Sequence, residues 1–185
     1  MILASASPRR AELLASAGFQ FTVEVADVDE TERPGEAPEA YVLRVARDKA
    51  RTVASRRRET GEVVLAADTT VVAGGEILAK PVDQADAVRM LTLLSGVVHD
   101  VFTGVVTIAD RVEAEEVVRT RVYLRPLTPE EISWYVATGE PMGKAGAYGI
   151  QGRAARFIDW IDGSWSNVVG LPVATVDRLL KSLSA

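Results

Sequence analysis

Apolar residues recur along this chain with two periods, and the switches between them predict its elements. Ile2-Leu3-Ala4 is a short apolar run that reads as a buried strand. Ser5 and Ser7 turn the chain, and Pro8 suits the first turn of a helix, where its missing N–H costs nothing. Leu13, Leu14 and Ala17 then fall at helical spacing, and Gly18 is a C-terminal stop. Phe19, Phe21, Val23 and Val25 alternate with Gln20, Thr22 and Glu24, a period of two that predicts a strand. A helix is predicted from Glu39 to about Arg57, with Val42, Val45, Ala46, Ala50 and Val53 as its apolar stripe and Arg56-Arg57-Arg58 at its end. Val63 to Ala67 is almost continuously apolar, the mark of a strand covered on both faces, and it stops at Asp68-Thr69-Thr70. Val71-Val72-Ala73, Gly74-Gly75 and Glu76-Ile77-Leu78 predict a tight hairpin.

Further on, Asp83 is a good N-cap for a helix Gln84 to Leu94 with Val88, Leu91 and Leu94 inward, closed by Gly96. Val97 to Ala109 and Val112 to Leu124 are β-rich and predict a long antiparallel pair joined at Asp110-Arg111. Thr128-Pro129-Glu130-Glu131 combines a cap, a proline at the first helical position and acids in the first turn, opening a helix that ends near Gly139. Phe157 to Ile161 predicts a strand, Asp162-Gly163 a turn, Ser166 to Leu171 an irregular return, and Pro172 opens a last helix through Leu180. Strands alternate with helices while the hairpins break a purely parallel order. The expected fold class is α/β, a mixed twisted sheet flanked by helices, in one domain over residues 1–185 without repeat or linker.

Charge and composition narrow the function classes. Lys+Arg number 21 against 26 Asp+Glu, a formal net charge of −5, which argues against general nucleic-acid binding. There is no cysteine, so thiol nucleophiles, disulfides and zinc ribbons are excluded. A single histidine, His99, excludes multi-histidine metal sites and reads as structural, since spacing nominates no partner for it. Without a membrane-length apolar run or a basic leader, the expected location is cytoplasmic, with no membrane partner.

Candidate chemistry gathers at four places. Ser5 to Arg10 sets two hydroxyls, free backbone N–H groups and two guanidinium groups in one helical first turn, a place for an anion; a plain cap followed by a solvated arginine pair is the alternative. Lys49 falls on the apolar stripe of its helix, so it either snorkels to the edge or directs its ammonium to a phosphate. Asp68 ends a buried strand, where open α/β sheets place their chemistry, or else caps a turn. Residues 143–152 hold four glycines, too dense for a helix or strand, and make either a surface loop or a backbone that approaches a ligand closely. The segment Ala26 to Pro38 is an acidic loop containing Glu30.

The strings LASASPRRAELL, LAADTTVV, LAKP, HDVFTGV, KAGAYGIQG and DGSWSNVVGLP resemble, in order and spacing, the Maf proteins, septum-formation-inhibitor-like nucleoside triphosphate pyrophosphatases. The resemblance covers Leu3 to about Val173. It implies a fold similar to that of inosine triphosphate pyrophosphatases, with two lobes around a deep cleft. It further implies a homodimer and metal-dependent cleavage of a nucleoside triphosphate to monophosphate and pyrophosphate. Residue by residue, it makes Asp68 the proton acceptor and assigns Arg9, Thr69 and Gln151 to substrate selection. Lys49 and Lys80, with Ser7 and Arg10, become phosphate-binding, and Glu30 with Asp68 would hold Mg²⁺ or Mn²⁺. The KAGAYGIQG form resembles the branch that prefers dTTP and UTP. A nucleotide-binding regulator of septum formation with little turnover, and a hydrolase of another phosphoanhydride such as a nucleotide sugar, are the alternative readings.

Overall fold

A computed structural model of the chain describes residues 1–57, 61–110 and 112–183; Arg58 and Arg111 lie outside the described residues. Among the described residues seven strands form one mixed sheet: β1 (Ile2–Leu3), β2 (Thr22–Val23), β3 (Val64–Ala73), β4 (Glu76–Leu78), β5 (Val98–Ala109), β6 (Val112–Leu124) and β7 (Ile158–Asp162). Their order is β2-β1-β3-β5-β6-β7, with β4 on β3. The helices are α1 (Pro8–Ser16), α2 (Pro38–Arg56), α3 (Gln84–Leu94), α4 (Pro129–Ala137), α5 (Trp165–Val169) and α6 (Val173–Ser182). Two compact units result, and β3, β5 and β6 contribute residues to each.

The first unit comprises Met1–Thr69, Thr103–Val118 and Gly170–Ala185. β1 pairs in parallel with β2 and with β3, Ile2 opposite both Thr22 and Val64. Its core joins Ile2 and Ala4, Val64 and Ala66, Val106 and Ile108 to Ala46, Ala50 and Val53 of α2. The α2 stripe is buried as its spacing requires. At Gly104 of β5 the helix backbone approaches so closely that a Cβ would lie 2.6 Å from the Val42 carbonyl oxygen. The strand predicted over Phe19–Val25 shrinks to two residues, and Val23 and Val25 are each 53% exposed. Among the described residues its only ladder partner is the two-residue β1, so pairing ends where β1 does. β3, in contrast, runs on through Asp68, Thr69 and Thr70 instead of stopping there. Asp68 and Thr69 find side-chain partners inside the unit, and β-branched Thr69 to Val72 suit a strand.

The second unit comprises Thr70–Phe102 and Arg119–Val169. The β3–β4 hairpin has the predicted register, Val71 opposite Leu78 and Ala73 opposite Glu76, and Gly74 and Gly75 take positive φ of 58° and 83°. The Asp83 carboxylate accepts from the Asp86 N–H at 2.8 Å, capping α3. This helix buries Ala87, Met90, Leu91 and Leu94, leaving Val88 39% exposed: the inward face is centred on 87, 91 and 94, and Val88 falls beside it. α4 has a full capping box between Thr128 and Glu131. Where an irregular return was expected, Trp165–Val169 form the short helix α5, started by the Ser164 hydroxyl, which accepts from the Asn167 N–H at 3.2 Å. Five residues are too few to show a period. Tyr135, Phe157, Leu91, Leu94, Val122 and Leu124 belong to the core of this unit.

Replacing Gly104 with Ala forces a methyl into the α2 backbone, which cannot swing aside as a side chain would. The variant should lose about 1–3 kcal/mol of stability, read as a lower denaturant midpoint. An unchanged midpoint would show that α2 and β5 have room to separate.

Candidate active site

In the first unit one ammonium organises the acidic residues. Lys49 lies on α2 one and two turns after Val45 and Tyr41, a spacing that places all three on the buried face. Only 7% exposed, it does not snorkel. Its Nζ donates to Asp68 Oδ1 at 2.8 Å and pairs with Glu30 Oε1 at 2.6 Å. Asp68 is itself 6% exposed, in the interior of β3, whereas the Glu30 side chain is 41% exposed. A buried carboxylate beside an ammonium avoids the cost of an unpaired charge.

Glu30 reaches this point because α2 holds its loop. The Tyr41 phenol donates to the Glu30 carbonyl at 3.0 Å, and burial, aided by the charges of Asp68 and Glu30, pushes the phenol up to about 12. Tyr41 therefore stays a donor throughout the neutral range. Arg44, one turn along, grips Glu36 with two bonds of 2.7 and 2.8 Å and donates to the Thr31 carbonyl at 3.0 Å. That grip holds the Glu36 carboxyl down at about 2.

Arg10 faces inward from α1, 9% exposed. Its Nε donates to the Gly170 carbonyl at 2.8 Å, one terminal nitrogen to Ser5 Oγ at 3.2 Å and the other to Thr69 Oγ1 at 3.0 Å. Burial lowers its pKa, against the opposing attraction of Asp68 and Glu30. Thr69 Oγ1 also lies 2.9 Å from Thr103 Oγ1 and 3.2 Å from the Gly170 oxygen. Ser7 is half-buried and makes no cap bond through its side chain; its N–H donates to Ser5 Oγ at 3.2 Å. Arg9 is half-buried on the same turn. The structure thus brings Glu30, Lys49 and Asp68 into one cluster, with Arg10 and Thr69 tied to each other. Two of the expected phosphate-binding cations, Lys49 and Arg10, already hold protein partners. Together with Glu30 and Asp68 these four residues sum to no formal charge.

Lys80 and Gln151 belong to the second unit. Lys80 is exposed between β4 and α3, and the carbonyl of its neighbour Ala79 accepts from the Gly146 N–H at 3.3 Å, tying this connection to the glycine-rich segment. Gly146 has φ +67°, and a Cβ there would lie 2.9 Å from Val71, so the close packing needs glycine. Tyr148 is buried, its phenol 2.8 Å from His99 Nε2 with the rings edge to face. Burial lowers His99 to about 4, so the ring is neutral at physiological pH, in keeping with a structural role. Exposed Gln151 occupies a turn closed by the Gly152 N–H on the Gly149 carbonyl at 3.0 Å.

Tyr41, Thr103 and Gly170 are participants that sequence reasoning did not single out. Tyr41 had a signal, because it shares a helical face with Lys49. Thr103 and Gly170 lay within the matched strings HDVFTGV and DGSWSNVVGLP, but no local pattern marked them.

Comparison with known proteins agrees with the motif reading. The Maf-like protein family matches residues 1–183. The chain is 56% identical over 181 residues to a dTTP/UTP pyrophosphatase of Myxococcus xanthus, covering 98% of this chain and 91% of that protein. It is 54% identical over 188 residues to a dTTP/UTP pyrophosphatase of Geobacter sulfurreducens, covering 100% and 97%. A crystal structure of a dITP/XTP pyrophosphatase from Mycobacterium abscessus aligns at a TM-score of 0.44 and 14% identity, over 99% of this chain and 95% of that one. On the match over residues 1–183 and these identities, the chain belongs to the Maf-like protein family.

Proposed function

We propose that this protein hydrolyses dTTP and UTP to the monophosphate and pyrophosphate. The observation that carries the reading is the buried Lys49–Asp68 pair with Glu30 on the same ammonium, Asp68 lying in the LAADTTVV string of a chain 56% identical to a named dTTP/UTP pyrophosphatase. In the proposed reaction a water oxygen bonds to phosphorus, the bond to the bridging oxygen breaks, and pyrophosphate leaves. Lys49 holds Oδ1 of Asp68, so Oδ2 takes the proton of the attacking water. Charge stabilisation is the other requirement of such transfers. Lys80 and Ser7 are phosphate contacts, while Lys49 and Arg10, already bonded within the protein, act mainly by shaping the site. Arg9, Thr69 and Gln151 select the substrate.

A divalent cation fits the residues present. Two carboxylate oxygens converge on one ammonium at 2.6 and 2.8 Å, and such oxygens are what Mg²⁺ or Mn²⁺ binds. No group of three or more His, Asp or Glu that would hold a metal gathers among the described residues, so Glu30 and Asp68 would share the ion with waters and phosphate oxygens. Bound there, it would offset the roughly four negative charges of the triphosphate, which the neutral cluster cannot. The family resemblance also supports a homodimer in the cytoplasm, and no helix among the described residues is long and apolar enough to cross a membrane.

Purified protein incubated with UTP, dTTP, CTP, ATP and GTP should release pyrophosphate fastest from UTP and dTTP. Activity should vanish with excess chelator and return with Mg²⁺ or Mn²⁺. Release of orthophosphate alone, or full turnover by metal-free protein, would contradict the reaction.

Asp68→Asn keeps an oxygen for Lys49 but cannot take a proton. It should fold, still bind UTP, and turn over at least about 10²-fold more slowly. A wild-type kcat would show that Asp68 is structural.

A further inference from the structure

The turn that carries Gln151 is held on both sides by two residues of no assigned role. The Gly149 N–H, two residues before Gln151, donates to the Tyr135 phenol oxygen at 3.3 Å. That phenol donates in turn to Glu140 Oε1 at 2.9 Å, and Glu140 Oε2 accepts from the Arg153 N–H, two residues after Gln151, at 3.0 Å. Phenol and carboxylate thus close a ring of hydrogen bonds around the turn whose own bond joins Gly152 N–H to the Gly149 carbonyl.

Each part of this clamp is anchored. Tyr135 lies on the buried face of α4, fully buried, its ring edge-on to Phe157 at 5.5 Å. Burial and the Glu140 charge raise the phenol pKa, so the group remains a proton donor. Glu140 follows Gly139, which has φ +72° and ends α4, and its N–H donates to Thr138 Oγ1 at 3.1 Å. Lys144 donates from Nζ to the Glu140 carbonyl. Gly152 completes the fit, because a Cβ there would lie 2.2 Å from Glu140 Oε1. A lone carboxylate end would swing aside for a methyl, but this one is tied to both the phenol and the Arg153 N–H. Orienting a surface-exposed turn with a buried tyrosine and a half-buried carboxylate exceeds what a mobile loop requires.

We propose that Tyr135 and Glu140 are positioning residues for nucleotide selection, setting the place from which Gln151 presents its amide to the base. This rests on the assignment of base reading to Gln151. An amide meets the O4 acceptor and N3–H donor of uracil or thymine with two hydrogen bonds only from a fixed distance and angle. A backbone free to shift would let the side chain follow other bases. Preorganisation of this kind acts on substrate discrimination more than on the bond-breaking step.

The test compares kcat and KM for UTP, CTP and ATP in wild type, Tyr135→Phe, Glu140→Ala, Glu140→Gln, Gln151→Ala and the Tyr135→Phe/Gln151→Ala double variant, with melting curves for each. Tyr135→Phe and Glu140→Ala should each lower the UTP-to-CTP and UTP-to-ATP ratios of kcat/KM by about 2- to 10-fold, the loss of one or two hydrogen bonds. The loss should fall on KM for UTP more than on kcat. Glu140→Gln should recover part of the ratio, its carbonyl accepting from the Arg153 N–H while the Tyr135 hydroxyl loses its carboxylate acceptor. In the Gln151→Ala background, Tyr135→Phe should change the ratio no further. If Gln151→Ala narrows the ratio while folded Tyr135→Phe and Glu140→Ala keep it, the positioning role is wrong and base reading by Gln151 stands. If Gln151→Ala itself keeps the ratio, base reading fails and the positioning role falls with it. Glu140→Ala alone decides the matter should Tyr135→Phe disturb the core.

Discussion

The bridge from the Lys49 ammonium to Asp68 and Glu30 is the interaction on which the arrangement of the first unit depends. A carboxylate 6% exposed inside a strand is tolerable only with a charged partner, and an ammonium 7% exposed on a helix face has the same need. The two must therefore be built together. α2 supplies the ammonium by carrying Tyr41, Val45 and Lys49 along one buried face. Gly104 lets that helix backbone come close to β5, which sets how deep Lys49 reaches. Exposed Glu30 completes the bridge, and Tyr41 and Arg44 fasten its loop to the same helix. One element thereby positions both acids that the proposed chemistry uses.

Arg10 obeys the same logic with different partners. A buried guanidinium needs acceptors for its N–H groups, and nearby Ser5 with the distant Thr69 and Gly170 supply them. Gly170 sits at φ +123°, backbone that side-chain-bearing residues rarely adopt, and so turns its carbonyl where Nε can reach it. The S-P-R-R turn is then less a ready-made anion site than a tie between β1, β3 and the start of the last segment. Of its two arginines, Arg10 is buried and tied to protein acceptors, whereas Arg9 is half-buried. Balanced charge at Lys49, Arg10, Asp68 and Glu30 also explains why a divalent cation belongs in the proposal: a cluster that sums to zero cannot by itself hold a triphosphate.

Much of the fold was legible because local chemistry and global structure agree. The capping box at Thr128–Glu131, the Gly74-Gly75 hairpin and the Val112–Leu124 strand each carry their own signal, and each is present at the predicted place. Failures occur where a long-range partner decides. Asp68 reads as a strand end because an ionised side chain interrupts an apolar run; Lys49, 19 positions earlier, makes its burial possible. Phe19–Val25 alternates like a full strand but has only two residues of β1 to pair with. Val88 matches the helical period yet lies beside the inward face. At the candidate site the motif strings marked Asp68, Thr69 and Gln151, since these residues lie within matched runs, and a charged residue on an apolar helical stripe marked Lys49. Tyr135 and Glu140 went unmarked: a helix-core tyrosine and a carboxylate just after a helix-ending glycine look like packing and solvation until the hydrogen bonds around Gln151 are seen.

A stability cycle on Lys49 and Asp68 tests the central pairing directly, using denaturant unfolding of wild type, Lys49→Met, Asp68→Asn and the double variant. Lys49→Met alone strands a buried carboxylate and should cost about 3–5 kcal/mol. Adding Asp68→Asn removes that charge, so the double variant should be more stable than Lys49→Met, with a coupling of at least about 1 kcal/mol between the sites. Single effects that add within about 0.5 kcal/mol would mean that Lys49 and Asp68 do not depend on each other, and the proposed organisation of the site would be wrong.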